Sequence, residues 1–333
     1  MEYLIIGSVL VVVMLLYFRI ASHYNIIDKP NHRSAHTEIT LRGGGIIFPV
    51  SFLLWVIISF LVDGSANVFQ TGENPNFWLF GCGLLLISVI SFADDMMDLS
   101  TRIRLLVHVI SVTFLLLFLN AFVLLPLWFI PVAYILVIGI LNAYNFMDGI
   151  NGMSGVYSLV LFSSLLYVNN YVTYFVSPDF IIYPLLACLV FLFFNFRKKA
   201  KCFLGDIGSM GIGFWVIGLI SLLMIETGEI KWVLFLAVYG VETILTIIER
   251  LTYRENIFEA HRRHLYQLLV NEKKISHLSV SANYAFIQMI INGAVLFFQG
   301  PDWLFYLVIL LPAVGLYLRI KYKIKKSLRL DHK

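Results

Sequence analysis

The sequence predicts an all-α, polytopic membrane protein with about 11 transmembrane helices, in a single integral domain over all 333 residues. Three observations predict it. The chain is 60% hydrophobic and only 13% charged, with mean hydropathy +0.86, outside the range of soluble enzymes. Apolar runs near spanning length follow one another at 2–20, 44–62, 77–93, 105–120, 122–141, 153–169, 180–196, 209–225, 231–248, 283–299 and 303–320. With the N-terminus outside and the C-terminus cytoplasmic, Lys231 alone of the 24 Lys and Arg falls in an outer segment. Asp63, Glu73, Asp179, Glu226 and Asp302 fall there instead, an asymmetry that fixes the expected orientation.

The first run has no basic flank before it and no small-residue cleavage site, and Arg19 follows it. It reads as a retained helix, not a removed signal peptide. The fourth and fifth runs are divided only by Asn120 and Ala121, and Pro126 and Pro131 interrupt the fifth. The inner segments are then roughly 21–43, 94–104, 142–152, 197–208, 249–282 and 321–333, while the outer loops are short and chemically plain. The basic tail from Arg319 (RIKYKIKKSLR) reads as a solvated face against anionic lipid headgroups, with no catalytic role. A formal charge of +4 implies no nucleic-acid partner. Cys82, Cys188 and Cys202 show no paired spacing, so neither a disulfide framework nor a zinc site is expected.

The polar groups concentrate on the inner side. In NAYNFMDGING, Asn142, Asn145, Asp148 and Asn151 recur every third residue, which at helical pitch gives one slanting stripe. Unpaired polar side chains beside hydrocarbon cost several kcal/mol, so the stripe lines a wet site or forms a polar loop between two membrane helices. In ADDMMDLSTRIR, Asp94 and Asp95 adjoin at the end of a spanning run, with Asp98 a turn beyond Asp94. Adjacent carboxylates at a low-dielectric boundary repel unless a cation intervenes. A divalent metal, Mg²⁺ above all, or Arg102 and Arg104 would supply one. A plain acidic helix end with salt-bridge partners also fits. In RKKAKCFLGDIGSMGIGF, Asp206 sits between Gly205 and Gly208, where backbone can approach a ligand. Ser209 is placed to cap the helix that follows, whose free N–H groups favour an anion. In ERLTYRENIFEAHRRHLYQLL, His261 and His264 are expected on one helical face with Arg262 and Arg263 beside them. That set suits a diphosphate better than zinc, although a basic interfacial helix would look similar. Arg33, His36 and Arg42 add positive charge ahead of Gly43 to Gly45.

Acids, amides, a helix start and a His/Arg cluster on one face make an inventory for phosphoryl transfer, where positioning and charge neutralisation carry most of the catalysis. At a bilayer edge the phosphate would belong to a lipid.

With these motifs in hand, the chain resembles the polyprenyl-phosphate N-acetylhexosamine-1-phosphate transferases, of glycosyltransferase family 4 type. The matching pieces are DKPNHRSAH with RGGG, DDMMDLS, NAYNFMDGING, FLGDIGSMGIGF and AHRRHLYQ, in the family's order over roughly residues 28–269. The resemblance implies a bacterial plasma-membrane enzyme with its site on the cytoplasmic face. Undecaprenyl phosphate would attack a UDP-N-acetyl-sugar, UMP would leave, and undecaprenyl-diphosphate-sugar would remain. This is the initiating step of surface glycans such as lipopolysaccharide O-antigen or teichoic-acid linkage units. It further implies Asp94 as the base toward the lipid phosphate with Asp95 in support. Asp206 and Asn145 would be ligands of Mg²⁺, or Mn²⁺ in its place. Asp148 and Asn151 would lie at the nucleotide end, and His261, Arg262 and His264 on the diphosphate and sugar side. Arg104, Arg33 and His36 are the candidates for the phosphate or lipid phosphate, and a homodimer stays open. Many relatives carry a second Asp where this chain has Asn151, but an amide still pairs with a uracil edge. AHRRHLYQ lacks the consecutive histidines of several subgroups and looks like the O-antigen branch, which argues against the pentapeptide transferase.

Two other classes compete. An intramembrane aspartyl protease would need two aspartates facing each other within membrane helices. An ion-coupled transporter would place charges near helix midpoints and show inverted repeats, and the sequence shows neither.

Overall fold

A computed structural model describes residues 1–28, 39–63, 76–97, 99–257, 259, 261–298 and 300–331. Arg33, His36, Glu73 and Asp98 lie outside the described residues. The expected spans appear in order as helices α1 (Glu2–His23), α2 (Ile47–Asp63), α3 (Phe77–Met97), α4 (Thr101–Phe118), a short α5 (Ala121–Leu124) and α6 (Ile130–Met147). There follow α7 (Met153–Tyr171), α8 (Asp179–Asn195), α9 (Gly205–Thr227), α10 (Ala237–Thr252), a short α11 (Leu265–Asn271), α12 (His277–Phe297) and α13 (Asp302–Asp331). Among the described residues, eight segments are long and apolar enough to cross a membrane. The protein is an all-α, multi-pass membrane protein. Its strands β1 (Ile27–Asp28) and β2 (Thr40–Leu41) form one antiparallel pair.

The breaks have local causes. Asn120 adopts φ 52°, a left-handed conformation that Asn tolerates, and this ends α4. Pro126 and a 3-10 turn at Leu127–Phe129 then split the fifth expected span before α6, which carries Pro131 in its first turn. Ser100 caps α4 by accepting from the Ile103 N–H.

Helix α9 is the central post. Of its spanning window 89% is buried, against 28% for α1, so α9 is enclosed by protein and α1 is largely turned to lipid. On one half an aromatic cluster of Phe52, Phe80, Phe180 and Trp215 surrounds it, and Trp215 donates to the Phe180 carbonyl at 3.0 Å.

Before α10 the chain forms a 3-10 segment, Ile230–Leu236, that breaks the regular helical pairing. Gln288 of α12 repairs it. Its Oε1 accepts from the Val238 N–H at 3.0 Å and the Tyr157 hydroxyl at 2.7 Å. Its Nε2 donates to the Leu234 carbonyl at 2.9 Å. Broken backbone at membrane depth persists only where protein satisfies it. Gln288→Leu is expected to destabilise the detergent-solubilised protein by roughly 2 kcal/mol or more, read as a lowered melting temperature.

Sidedness can be checked from contacts. Tyr3 donates to Asp179 at 2.6 Å, joining two positions expected outside. The expected inner segments meet one another through Arg42–Asp95, Asn151–Arg197 and Lys325–Glu249 pairs.

Three expectations need correction. Helix α9 starts at Gly205, so Ser209 lies inside it and does not cap it; the Ser209 hydroxyl bonds back to the Asp206 carbonyl at 3.4 Å. Helix α6 stops at Met147, so the polar stripe is helical only through Asn142 and Asn145. The basic tail is not simply solvated. Lys321 is buried and meets Glu249 of α10 at 2.7 Å, and Lys325 pairs with the same carboxylate. A lysine this deep needs that partner.

Candidate active site

The site begins where β2 runs into the N-terminal end of α9. Phe203 N–H donates to the Leu41 carbonyl at 2.7 Å, and Gly44 and Gly45 N–H groups donate to the Phe203 and Leu204 carbonyls at 2.8 and 2.9 Å. The two backbones are close enough that a Cβ on Gly45 would stand 2.1 Å from the Gly208 Cα. This docking carries Arg42 over the end of α3.

Three inner segments then share charge. Arg42 Nη2 lies 2.5 Å from Asp95 Oδ1 and 3.6 Å from Asp206 Oδ1. Asp95 Oδ2 accepts the Asp206 N–H at 2.9 Å. The contact depends on Gly205, whose φ is 73° and whose absent Cβ would meet Asp95 Oδ2 at 2.7 Å. The amide at this helix start is thus taken by Asp95, where the sequence suggested a free anion site. Asp94 faces the other way, accepting from Arg104 Nη1 at 2.6 Å and from the Leu99 N–H at 2.9 Å. Arg102 beside it is exposed.

The NAYNFMDGING stretch supplies the neighbouring wall. Asn145 Nδ2 donates to the Ser209 hydroxyl at 3.2 Å, one turn beyond Asp206 on α9. Asp148, half-buried just past α6, has its carboxyl pushed up to about 7. Burial is the main cause; the Ser154 hydroxyl opposes it, the Asp206 charge adds to it, and Arg42 opposes it. Asp148 thus feels the charges of both Asp206 and Arg42. Asn151 points elsewhere. It is buried, its amide donates to the Arg197 carbonyl at 2.8 Å, and its own carbonyl accepts from Ser281 at 2.8 Å. Its side chain therefore ties this loop to the 197–208 segment.

The His/Arg segment closes the far side. Residues 261–264 precede α11 and are not helical, contrary to the expected shared helical face; the His261 and His264 rings nevertheless lie 4.8 Å apart. His261 is pushed down to about 4 by burial, with His264 and Arg250 adding, so it is neutral at pH 7. Arg262 is exposed. Arg263 pairs with Glu249 and Glu255. Tyr266 donates to the Phe146 carbonyl at 2.9 Å and so fixes α11 against the Asn145–Asp148 stretch.

Sequence reasoning missed three features. Arg42 was noted only for its charge, yet it joins two of the acids. Tyr266 falls within AHRRHLYQ but was given no role there. Glu242 did give one: it is an acid inside the apolar run 231–248, and an ionisable residue at membrane depth marks function by default.

Among the described residues no group of three or more His, Cys, Asp or Glu is arranged to enclose a metal ion. The donor set still fits Mg²⁺, which is held by one or two carboxylates together with substrate phosphates and water. Asp95 Oδ1 is buried without a hydrogen-bond donor and already draws a cation, Arg42. The aspartyl-protease alternative is not favoured, because a guanidinium, Arg42, contacts both Asp95 and Asp206, where such a protease relies on the two carboxylates alone.

The sequence is similar to those of known membrane-lipid transferases. The sequence profile of "Glycosyl transferase family 4" matches residues 77–225, which contain Asp94, Asp95, Asn145, Asp148 and Asp206. A probable undecaprenyl-phosphate N-acetylglucosaminyl 1-phosphate transferase of Bacillus subtilis is 24% identical, covering 86% of this chain and 81% of its own. An undecaprenyl-phosphate alpha-N-acetylglucosaminyl 1-phosphate transferase of Yersinia pestis is 24% identical over 93% of this chain and 87% of its own. Its counterpart in Thermotoga maritima is 26% identical over 80% and 81%. Motif order, the multi-pass helical scaffold and these relatives together support an enzyme similar to the polyprenyl-phosphate hexosamine-1-phosphate transferases, with the glycosyl transferase family 4 match spanning residues 77–225.

Proposed function

We propose that this enzyme transfers the sugar 1-phosphate of a UDP-N-acetyl-hexosamine to undecaprenyl phosphate, on the cytoplasmic face of the bacterial plasma membrane. The observation that carries the reading is the junction of Asp95, Asp206 and Arg42, with Asp94–Arg104 on one side and Asn145–Asp148 on the other. It combines acids, guanidinium groups and an amide at the end of spanning helices, which suits two phosphorylated substrates of which one is a lipid.

An oxygen of the lipid phosphate attacks the sugar-bearing phosphorus. The bond from that phosphorus to the oxygen shared with the uridine-bearing phosphate breaks, and UMP leaves with its electron pair. Asp94 would take the proton of a lipid phosphate arriving as a monoanion, and Arg104, now on Asp94, would hold that phosphate. Asp206 and Asn145, with Asp95 beside them, would hold Mg²⁺ or Mn²⁺, which when bound supplies charge neutralisation at the diphosphate. Arg42 would balance the acids as the substrates arrive. Neutral His261, His264 and Arg262 would contact the diphosphate and sugar. Asn151 would support the nucleotide end by holding its loop. The residues named all come from one chain, so a homodimer, if formed, need add no group to the site.

The test is UMP release by purified protein given undecaprenyl phosphate, Mg²⁺ and a panel of UDP-sugars. Turnover that requires both the lipid phosphate and an N-acetylated UDP-hexosamine is expected. No release from any UDP-sugar would overturn the reading.

The pH dependence follows from Asp148. Its carboxyl is neutral below about 7 and ionised above, so kcat/KM for the UDP-sugar should rise with pH through that region and then level. Asp148→Asn should lower kcat/KM and remove the step.

A further inference from the structure

We infer that Glu242 is a positioning residue that acts through His264, an inference resting on the transferase reading above. Glu242 lies on α10, is 1% exposed, and is assigned no part in the motifs. A carboxylate at this depth needs donors, and two helices supply them. Tyr284 of α12 donates its hydroxyl at 2.7 Å. Leu265, the first residue of α11, donates its N–H. His264 places Nδ1 3.4 Å from Oε1.

His264 is itself only 3% exposed, so the pair is shut off from water, where electrostatic contacts are least screened. Its ring lies between two parts of the site: 5.7 Å from Tyr266, which anchors to the Phe146 carbonyl, and 4.8 Å from His261. Neither ring nitrogen makes a hydrogen bond within the protein: Nδ1 only approaches Glu242, and Nε2 is buried with no partner. Buried polar atoms are rarely left unpaired, and one beside a substrate site calls for a ligand atom.

Glu242 decides what His264 offers there. A carboxylate behind Nδ1 holds the proton on that nitrogen and fixes the ring's orientation, the arrangement seen where a carboxylate backs a working histidine. Nε2 is then the face presented to substrate. A phosphate oxygen of the diphosphate requires Nε2–H, hence an imidazolium, and Glu242 is the counter-charge for it. A sugar hydroxyl would instead donate to the Nε2 lone pair of the neutral ring. In both cases the ring works only while Glu242 holds it.

A double-mutant cycle separates this from a merely structural role. Glu242→Gln keeps the volume and can still accept from Leu265 N–H, but cannot hold the Nδ1 proton as an anion. It should lower kcat/KM for the UDP-sugar on the order of 10- to 100-fold, the usual loss when an outer carboxylate behind a histidine is removed. The KM for undecaprenyl phosphate should stay near the wild-type value. In a His264→Asn background the same change should add little. Glu242→Asp, charged but drawn back from Nδ1, should show the same coupling and serves if Glu242→Gln does not fold, as judged by thermal melting in detergent. Equal losses in both His264 backgrounds, or no loss in either, would overturn the role of Glu242. Absence of wild-type turnover in the same assay would instead overturn the transferase reading, so the two failures are distinguishable.

Discussion

Asp206→Ala and Asp95→Ala are each expected to lower transfer by about 10³-fold, the scale on which one electrostatic partner of a transition state is lost, or about 4 kcal/mol. The reason is their geometry. The two acids meet through the Asp206 amide and through Arg42, so each carries part of a single charge balance. Removing either leaves Arg42 facing one carboxylate in place of two and takes an oxygen ligand from the proposed metal position. Asp95→Ala also strands the Asp206 N–H, so Asp95→Asn is the cleaner variant: its amide oxygen can still accept from that N–H while the charge is gone. Both variants should remain in the membrane and melt near wild type. Chelation by EDTA should reproduce the loss in the unaltered protein, and added Mg²⁺ or Mn²⁺ should restore activity. Full activity in EDTA would remove the metal from the account.

Gly45→Ala should have the second large effect, on both stability and activity. The added methyl would stand 2.1 Å from Gly208 Cα, 2.5 Å from its nitrogen and 2.8 Å from the Leu204 carbonyl. These are backbone atoms, so no rotamer change relieves the clash, and the β2–α9 junction must separate. Overpacking of this kind costs roughly 1–3 kcal/mol, and a backbone contact belongs at the upper end. Arg42 precedes the displaced segment by three residues, so its contact with Asp95 and Asp206 should weaken and turnover should fall with stability. Gly293→Ala, where a Cβ meets nothing within 4 Å, is the control expected to change neither.

The membrane architecture was legible because it is written in local composition: runs of apolar residues, and basic residues kept to one side of them. The acids and amides of the site were legible for the same reason, since a polar side chain beside hydrocarbon stands out in any reading. What the sequence did not show is pairing across distance. Nothing near Arg42 announces that it reaches Asp95 and Asp206. Ser209 looked like a cap because Ser follows the Gly-Asp turn, but the left-handed φ of Gly205 starts α9 four residues earlier. The three-residue spacing ending in Asn151 suggested a continuous stripe, whereas the helix stops at Met147 and Asn151 turns inward to bond the Arg197 carbonyl. Lys321 and Lys325 read as part of a solvated tail because their acid, Glu249, is 72 and 76 residues away in the chain.

The central claim is that separate inner segments form one divalent-metal pocket for a nucleotide-linked sugar. Its most direct test is a Mn²⁺ titration of the detergent-purified protein by electron paramagnetic resonance, with and without a UDP-N-acetyl-hexosamine. One tight Mn²⁺ per chain is expected, bound more tightly with the UDP-sugar present and lost in Asp95→Asn and Asp206→Ala alike. Mn²⁺ binding that ignores both substitutions and the UDP-sugar would contradict the account.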